Sequence, residues 1–272
     1  MLTRPIPSSG EALPVIGLGT WENFDFAPKA PERVGLAQVL DALFTGGGRL
    51  IDTSPMYGKA EALVGSLLME RREPKPFVAT KVWTTGKREG IAQMEQSFKL
   101  LGVAQLDLMQ VHNLVDWQSH LETLKGWKAE GRVRYLGITH YTDSAHDELE
   151  KVMRAADWDF VQLNYSLEDR AAEARLLPLA AEKGMAVIVN RPFGGGGLIR
   201  KLRSKPLPEW AGGAGCSSWA ALLLKFILAN PAVTCVIPGT GEPKHMQEIL
   251  EAGVGSLPDE ATLKHMRALA KS

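Results

Sequence analysis

The feature that most constrains the fold is a repeated alternation of short apolar runs and longer amphipathic stretches. Eight runs rich in β-branched residues recur along the 272-residue chain, mostly at intervals of about 25 to 35 residues, the length of one strand–helix unit. We predict strands at 15–19, 49–52, 77–81, 106–112, 134–139, 160–163, 185–190 and 234–238. Between them, apolar residues recur at helical spacing, as in Val34-Leu36-Val39-Leu40-Leu43 and Leu121-Leu124-Trp127.

This alternation predicts an α/β protein of a particular kind. Strands that are apolar on both faces are typical of a parallel sheet covered by helices. Eight strand–helix units favour a closed (β/α)8 TIM barrel over an open sheet. Barrels of this length form one domain, so we predict a single domain over residues 1–272.

Two segments depart from the repeat. Residues 1–14 precede the first barrel strand and contain the turn sequence Pro7-Ser8-Ser9-Gly10, which predicts an N-terminal β-hairpin at the bottom of the barrel. Residues 191–216 form a long connection rich in glycine and proline, and such loops inside a domain are usually functional or mobile. We expect a last helix near residues 260–270 and a comparatively open barrel mouth.

Composition excludes several classes of function. Lysine and arginine total 31, as do aspartate and glutamate, so no net charge attracts a nucleic acid or an anionic membrane. Two cysteines cannot build a disulfide framework, which favours a reducing compartment. No apolar run reaches the length of a membrane span and no signal peptide is visible, so we expect a cytoplasmic protein, although a removed leader would leave no trace. We expect a monomer or a weak oligomer.

Ionisable residues end three consecutive predicted strands. Asp52, Lys81 and His112 close the second, third and fourth strands, and Tyr57 follows Asp52 by five residues. The active sites of barrels lie at the carboxyl ends of the strands, so these four side chains would share one rim. A lysine near a tyrosine favours the phenolate and lowers the pKa of the phenol. The arrangement predicts protonation of a carbonyl oxygen, with the histidine hydrogen-bonded to the same oxygen.

Each of these residues also has a structural explanation. Asp52 could cap the turn Asp-Thr-Ser-Pro, Lys81 could be a solvated lysine of the rim, and His112 could be a hydrogen-bonded histidine of the core. The occurrence of all three at the ends of consecutive strands favours the functional interpretation.

At these positions the chain resembles the aldo-keto reductases. The resemblance runs from Gly17-Leu18-Gly19-Thr20-Trp21 to Ile237-Pro238-Gly239-Thr240. Its most specific segments are Ile51-Asp52-Thr53-Ser54-Pro55-Met56-Tyr57-Gly58, Ala79-Thr80-Lys81, Leu106-Asp107-Leu108-Met109-Gln110-Val111-His112 and Gly131-Arg132-Val133-Arg134-Tyr135-Leu136-Gly137-Ile138.

The resemblance implies an NADP(H)-dependent oxidoreductase that interconverts aldehydes or ketones and alcohols. It implies a catalytic tetrad of Asp52, Tyr57, Lys81 and His112, with Tyr57 as the general acid. It also implies a nicotinamide coenzyme that lies extended across the barrel mouth, and the chain indeed lacks a Rossmann fingerprint, since Glu22 stands where a third glycine would follow Gly17 and Gly19.

The coenzyme would lie against the remaining strand ends. The resemblance implies that Thr139, His140 and Gln162 bind the carboxamide, that the loop after strand seven lines the pyrophosphate, and that the segment around Thr240 binds the adenosine 2′-phosphate. A helix that begins near Pro243 suits an anion, although a plain helix cap would explain Thr240 equally well. The full predicted set is Gly19, Thr20, Trp21, Asp52, Thr139, His140, Gln162, Asn190, Arg191, Pro192, Phe193, Gly195, Leu198, Ile237, Gly239, Thr240, Lys244, His245 and Glu248.

The chain departs from the family pattern in three respects. Asn190 stands where many members have an aromatic residue that stacks on the nicotinamide. Thr139-His140 replaces a common Ser-Asn pair. Gly239 and His245 replace the lysine and arginine that many NADPH-specific members use, although Lys244 could compensate. We therefore favour NADP(H) and keep NAD(H) as a second coenzyme.

The substrate pocket is predicted to be apolar. Trp21, Trp83 and Trp117 are the predicted walls beside His112, and Phe24, Phe26 and Phe193 are further candidates. Such a pocket favours small or aromatic aldehydes and ketones over charged sugars.

Two other functions remain open from the sequence. Asp52, His112 and His140 could be metal ligands of a barrel hydrolase, although Lys81 would sit awkwardly beside a cation, and we predict no metal. A cofactor-sensing subunit with little turnover is the non-enzymatic alternative.

Overall fold

Every predicted apolar run contributes to one parallel sheet. A computed structural model describes residues 1–71 and 74–270 of the chain. The strands are β1 (Thr3–Pro5), β2 (Ala12–Pro14), β3 (Leu18–Gly19), β4 (Leu50–Asp52), β5 (Phe77–Val82), β6 (Leu106–His112), β7 (Val133–Thr139), β8 (Phe160–Asn164), β9 (Ala186–Asn190) and β10 (Val233–Val236).

Strands β3 to β10 close into a barrel. Each pairs in parallel with the next along the chain, and single bridges from Ile16 to Val236 and from Gly19 to Gly239 join the first strand to the last. The predicted (β/α)8 barrel is confirmed. The last strand ends at Val236 and not at residue 238, since Pro238 has no N–H to extend the ladder.

Helices alternate with the barrel strands. They are α1 (Arg33–Thr45), α2 (Ala60–Leu68), α3 (Lys87–Leu101), α4 (Trp117–Ala129), α5 (His146–Ala155), α6 (Leu176–Glu182), α7 (Gly197–Leu202), α8 (Trp219–Leu228), α9 (Pro243–Leu250) and α10 (Glu260–Leu269). Val34 was predicted on the buried face of α1 but is exposed, because it lies two positions from Leu36 and so points away from it. Over residues 1–71 and 74–270, no helix has the length and apolarity needed to cross a bilayer.

The barrel interior changes from aromatic to polar along the strands. Phe77, Tyr135 and Phe160 fill the level near the amino ends, with ring centroids 5.5 to 6.0 Å apart. Leu108 and Ile188 belong to the same buried cluster. Apolar and aromatic side chains thus fill the lower barrel, and the polar side chains of the interior lie at the carboxyl ends.

The N-terminal hairpin covers the lower end of the barrel, as predicted. Strands β1 and β2 pair antiparallel, and buried Ile6 and Leu13 pack into the interior cluster. At the turn, the hydroxyl groups of Ser9 and Tyr135 lie 2.7 Å apart, and Tyr135 donates to Glu11 at 2.6 Å. These contacts attach the hairpin to β7.

The long connection after β9 contains helix α7 and a short 3-10 turn at Glu209–Ala211. A fully buried lysine on α8, Lys225, secures the end of this connection. Its ammonium donates to the carbonyl oxygens of Ala214 and Ser256, each at 3.0 Å. The ammonium thus joins the connection to the segment before α10.

Candidate active site

The polar rim follows from the two-residue period of the strands. Side chains two positions apart on a strand point to the same face. On β6, Gln110 and His112 therefore continue the interior row that begins with Leu108, and on β5 Lys81 continues the row of Phe77 and Ala79. Apolar packing below thus places these polar groups inside the barrel at its carboxyl end.

Asp52 lies at the centre of a buried polar network. The ammonium of Lys81 donates to Oδ2 of Asp52 at 2.6 Å and to the carbonyl oxygen of Thr53 at 2.8 Å. The amides of Gln110 and Gln162 both donate to Oδ1, at 2.9 and 3.0 Å. The carboxylate therefore has donors on both oxygens, which is what a buried charge requires.

Gln110 reaches Asp52 because Gly137 lies beside it on β7. A Cβ atom added at Gly137 would be 3.1 Å from Cγ of Gln110 and 3.2 Å from the side chains of Leu108 and Phe160. A larger residue here would press on the side chain of Gln110. The glycine thus contributes to the network without taking part in it.

Tyr57 lies over this network in the turn after β4. Its N–H donates to the carbonyl oxygen of Ser54 at 3.0 Å, and the Lys81 ammonium lies 4.9 Å from the centroid of its ring. Burial raises the pKa of the Tyr57 phenol, the positive charge of Lys81 lowers it, and the negative charge of Asp52 raises it again. The net pKa is raised, so the effect of lysine has the predicted sign but burial outweighs it. The phenol is protonated at neutral pH.

Lys81 remains charged although it is fully buried. Burial lowers the pKa of its ammonium, but the negative charge of Asp52, the neighbouring Tyr57 and the hydrogen bonds to these two groups raise it by more, and the net pKa is above the usual value. The positive charge beside Tyr57 is therefore fixed across the neutral range.

His112 completes the group of four side chains. Its Nδ1 lies 3.0 Å from Oγ of Ser54, and its ring meets the Tyr57 ring edge-on with centroids 5.8 Å apart. Burial and the charges of Lys81 and His140 lower the pKa of His112 to about 2. The imidazole is neutral, so it carries one proton that it can donate and one nitrogen that can accept.

The strands opposite carry the residues predicted to bind a coenzyme. Thr139 donates to Oε1 of Gln162 at 3.0 Å, and the amide of Asn190 donates to the carbonyl oxygen of His140 at 3.2 Å. Among the described residues, Oδ1 of Asn190 is buried without a hydrogen-bond partner. A cavity of about 290 Å³ opens beside them, between the ends of β7, β8 and β9. Its lining residues are Tyr141, Thr142, Asp143, Asn164, Asp169, Arg191 and Gly194.

The loop after β9 has an unusual backbone. Arg191 and Gly194 to Gly196 all have positive φ, with values of 49°, 58°, 66° and 83°. Arg191 is not a glycine, and non-glycine residues rarely adopt this conformation except at special sites. Pro192 and Leu198 are buried and Phe193 is half-buried, so the backbone and the arginine side chain form most of the exposed surface of the loop.

The remaining predicted coenzyme residues lie on both sides of the seam between β3 and β10. The bridge from Gly19 to Gly239 brings Thr20 and Trp21 next to the segment around Thr240. The N–H of Glu242 donates to Oγ1 of Thr240 at 3.1 Å just before α9 begins. Lys244 and His245 are exposed on the first turn of α9, Glu248 lies on its second turn, and Ile237 is buried in the barrel interior.

The predicted aromatic walls differ in how far they are exposed at the barrel mouth. Trp21 and Trp83 are about half exposed at the mouth, and the Trp83 ring centroid lies 6.4 Å from that of His112. Trp117 is half-buried, and its ring packs against that of Trp158. Phe24 was predicted as a wall but is completely buried, because its N–H bonds back to Thr20 and the chain turns into the core there.

Three residues of the site were not predicted. Ser54 lies in a sequence typical of a turn, which gave no sign of a role in the site. Tyr141 is exposed and follows His140, and the two rings stack with centroids 5.5 Å apart. Gln110 could have been predicted from its position on the strand. A polar residue two positions before His112 on an apolar strand must face the same interior row.

The metal-site alternative finds no support in the arrangement of side chains. Within the part of the chain that the structure describes, no three His, Cys, Asp or Glu side chains are grouped so as to hold a metal ion. Asp52 already accepts hydrogen bonds from Lys81, Gln110 and Gln162.

A larger cavity of about 370 Å³ lies at the opposite end of the barrel, beside Ser9 and Tyr135. Its cations are already paired with carboxylates: Arg134 with Glu11 and Asp107, and Lys128 with Asp159. These pairs join the hairpin and the lower strand ends, so this cavity has no group comparable to the rim network.

Comparison with known proteins points to one family. A model of the Aldo/keto reductase family matches residues 15–269. Among curated proteins, an NADH-specific methylglyoxal reductase of Escherichia coli strain K12 is 26% identical over 246 residues, which cover 76% of this chain and 72% of that protein. A pyridoxal 4-dehydrogenase of Microbacterium luteolum is 24% identical, with 94% of each chain covered.

Solved structures show the same architecture. An aldo-keto reductase from Klebsiella pneumoniae in complex with NADPH superposes with a TM-score of 0.84 at 26% identity, covering 99% of this chain and 96% of the other. A further aldo/keto reductase structure from Klebsiella pneumoniae, in complex with NADP and acetate, has a TM-score of 0.82 at 26% identity, covering 96% and 93% of the two chains.

Proposed function

Because the chain belongs to the aldo/keto reductase family and is therefore an oxidoreductase acting on carbonyl compounds, we propose that it reduces aldehydes and ketones reversibly to alcohols, with NADP(H) as the favoured coenzyme and NAD(H) as a second. The observation that carries the proposal is the buried Lys81 ammonium, 2.6 Å from Asp52 and 4.9 Å from the ring of Tyr57. When bound, the coenzyme supplies the hydride that is added to the carbonyl carbon.

Tyr57 is the proton donor of the proposed reaction. Its phenol is protonated at neutral pH, so the hydroxyl proton can pass to the carbonyl oxygen as the hydride is added to the carbon. Proton transfer leaves a phenolate in the rim. The charged Lys81 stabilises that phenolate, and Asp52 holds Lys81 in place.

His112 orients the carbonyl group in this scheme. It lies next to Tyr57, with the two rings edge-on, so both residues can address one substrate oxygen. Because its pKa is lowered to about 2, the imidazole acts as a neutral hydrogen-bond donor and competes poorly with Tyr57 as an acid.

The residues on the other half of the rim fit a nicotinamide dinucleotide. A carboxamide needs acceptors and donors, and Oδ1 of Asn190 is buried without a partner in the described part of the chain, on the strand that pairs with the strand of Gln162. Arg191 and the glycines after it offer a cation and exposed backbone to a pyrophosphate. Lys244 at the start of α9 offers a positive charge to a 2′-phosphate, and His245 beside it offers a ring nitrogen for a hydrogen bond.

A similar protein with bound NADPH and a similar NADH-specific protein both support the proposed choice of coenzyme. The Klebsiella pneumoniae structure contains NADPH, whereas the Escherichia coli relative is described as NADH-specific. No arginine stands at the start of α9 to favour the 2′-phosphate strongly. We therefore propose a preference for NADP(H) that is incomplete.

The proposed substrates are small or aromatic aldehydes and ketones. Trp21 and Trp83 offer apolar surface at the mouth, and Trp83 lies next to His112. Trp117, half-buried on Trp158, would contribute at the edge of such a pocket.

A coenzyme titration followed by a substrate panel tests the proposal. The fluorescence of NADPH and of NADH is titrated separately with the protein, and consumption of each is then followed with a set of aliphatic and aromatic aldehydes. We expect saturable binding of both, tighter for NADPH, and aldehyde-dependent oxidation of the bound coenzyme. Tight binding with no turnover on any aldehyde would instead indicate a cofactor-sensing subunit, and no binding would refute the proposal.

A further inference from the structure

Ser54 is buried directly beneath His112. Its side chain is completely inaccessible, two residues after Asp52 and three before Tyr57. Its Oγ lies 3.0 Å from Nδ1 of His112 and accepts a hydrogen bond from the N–H of Met56 at 3.4 Å. A hydroxyl group has one proton and two lone pairs, so these contacts constrain where its proton points.

The contacts are consistent with only one direction of the serine–histidine hydrogen bond. If Nδ1 of His112 carried the proton, Oγ of Ser54 would accept from both Nδ1 and Met56, and its own proton would have no acceptor in a buried place. Leaving a buried donor unpaired is costly. If Ser54 donates to Nδ1, both lone pairs and the proton of this buried contact are accounted for, and the single proton of the neutral imidazole resides on Nε2.

We propose that Ser54 is a positioning residue that holds His112 in the tautomer protonated at Nε2. Within the described residues Nε2 bonds to no protein group, so in this tautomer it presents an N–H to a ligand. An N–H at that position can donate to a carbonyl oxygen, whereas the other tautomer would present a lone pair and repel it. The inference rests on the proposed function for this consequence, but the tautomer itself does not depend on it.

A serine paired with a histidine is also the arrangement used in nucleophilic catalysis. That interpretation fails here because Oγ of Ser54 is fully buried, and a carbonyl carbon could not approach it. The role of Ser54 is therefore exerted through His112.

Nitrogen NMR measures the tautomer without any substrate. Long-range ¹H–¹⁵N correlation spectra of the uniformly ¹⁵N-labelled protein distinguish the two tautomers of each of its six histidines, and a His112→Gln variant assigns the signals of His112. We expect the wild-type protein to show His112 protonated at Nε2. The opposite tautomer in the wild-type protein would overturn the proposal whether or not any variant folds.

Variants at Ser54 test the cause. Ser54→Ala should produce a mixed or inverted tautomer of His112, and Ser54→Thr, which keeps the hydroxyl group, should restore the Nε2 form. Ser97→Ala is the matched control, because it removes another fully buried serine hydroxyl, one that donates to the carbonyl oxygen of Gln93. An unchanged His112 tautomer in Ser54→Ala, with the other histidine signals intact, would contradict the proposal.

Kinetics separates this inference from the proposed function. For an aldehyde that the wild-type protein reduces, Ser54→Ala should lower kcat about tenfold, equal to about 1.4 kcal/mol, and leave the Kd for NADPH unchanged. An unchanged kcat would refute the role in orientation. If the wild-type protein reduces no aldehyde, the proposed function fails, while the tautomer measurement still decides the assignment to Ser54.

Discussion

The side-chain amide of Gln162 donates to Oδ1 of Asp52 at 3.0 Å, while its oxygen accepts from Thr139 at the opposite side of the barrel mouth. One residue thus connects the strands proposed to hold a coenzyme with the charge pair proposed to support Tyr57. Gln110 donates to the same oxygen of Asp52 at 2.9 Å but lies on β6, whereas Gln162 lies on β8. The two glutamines form a natural pair for comparison.

Replacement of each glutamine by leucine should separate the two roles. In Gln110→Leu we expect kcat to fall about tenfold with an unchanged Kd for NADPH, because only the support of Asp52 is lost. In Gln162→Leu we expect a similar fall in kcat and a Kd about fivefold higher, equal to about 1 kcal/mol. Stopped-flow turnover and fluorescence titration measure both quantities. A raised Kd in Gln110→Leu would show that the two sides of the network are not distinct.

Tyr57→Phe should remove the proton donor and little else. We expect carbonyl reduction to fall by about 10²- to 10⁴-fold, the usual contribution of a general acid, while NADPH binds with nearly the same Kd. The control is the neighbouring exposed Met56, since Met56→Leu changes the same turn without touching the chemistry. Reduction of aldehydes by Tyr57→Phe at the parental rate would eliminate Tyr57 as the acid.

Lys81→Met should raise the pKa of Tyr57 further. The positive charge of Lys81 opposes the effect of burial, so its removal leaves burial and the negative charge of Asp52 to raise the pKa together. Oxidation of the alcohol needs the phenolate, so the rising limb of its pH–rate profile should move to higher pH by about one unit or more. Because Asp52 would lose its ion pair, the double variant Lys81→Met with Asp52→Asn is a second form of the test. An unmoved profile in both would contradict the role given to Lys81.

Glu61 provides a prediction about stability. This carboxyl group is buried behind β5, where burial raises its pKa although the hydrogen bond from Thr80 and the positive charge of Lys81 lower it. Because the pKa of Glu61 is higher in the folded state than in the unfolded chain, its contribution to the free energy of unfolding is fully present at pH values below the unfolded pKa. This contribution is lost as the pH rises from about 4.5 through the folded pKa. A carboxyl pKa that is higher by one in the folded state than in the unfolded state changes the free energy of unfolding by about 1.4 kcal/mol.

Urea unfolding at several pH values from 4.5 to 8 tests this expectation. The free energy of unfolding of the wild-type protein should decrease, relative to that of Glu61→Gln, as the pH rises through this range. Glu182→Gln is a control at an exposed position of α6. A constant difference between wild type and Glu61→Gln would refute the raised pKa.

The sequence predicted those parts of the structure that follow from a regular spacing of residues. The two-residue alternation and the strand spacing predicted the barrel, and the strand ends brought Asp52, Lys81 and His112 together because parallel strands end at one rim. The turn at residues 7–10 likewise predicted the hairpin.

The burial of individual side chains and the local direction of the chain could not be predicted from the spacing of residues. The net pKa of Tyr57 depends on how much water the folded rim excludes, which no spacing reveals. Phe24 follows a strand end as a pocket wall would, but a hydrogen bond from its N–H to Thr20 turns the chain into the core. Ser54 lies in a sequence typical of a turn, and only the folded turn brings its hydroxyl to His112.

The hairpin that seals the lower end of the barrel has a kinetic consequence. In the part of the chain that the structure describes, Ile6 and Leu13 pack under the interior cluster, so two reactants that meet beside Tyr57 must both approach from the carboxyl end of the barrel. The reactant that lies deeper must therefore bind first, and the product formed from it must leave last. Steady-state measurements in which the concentrations of both reactants are varied should therefore show a compulsory order of addition. The product formed from the deeper reactant should inhibit competitively against that reactant.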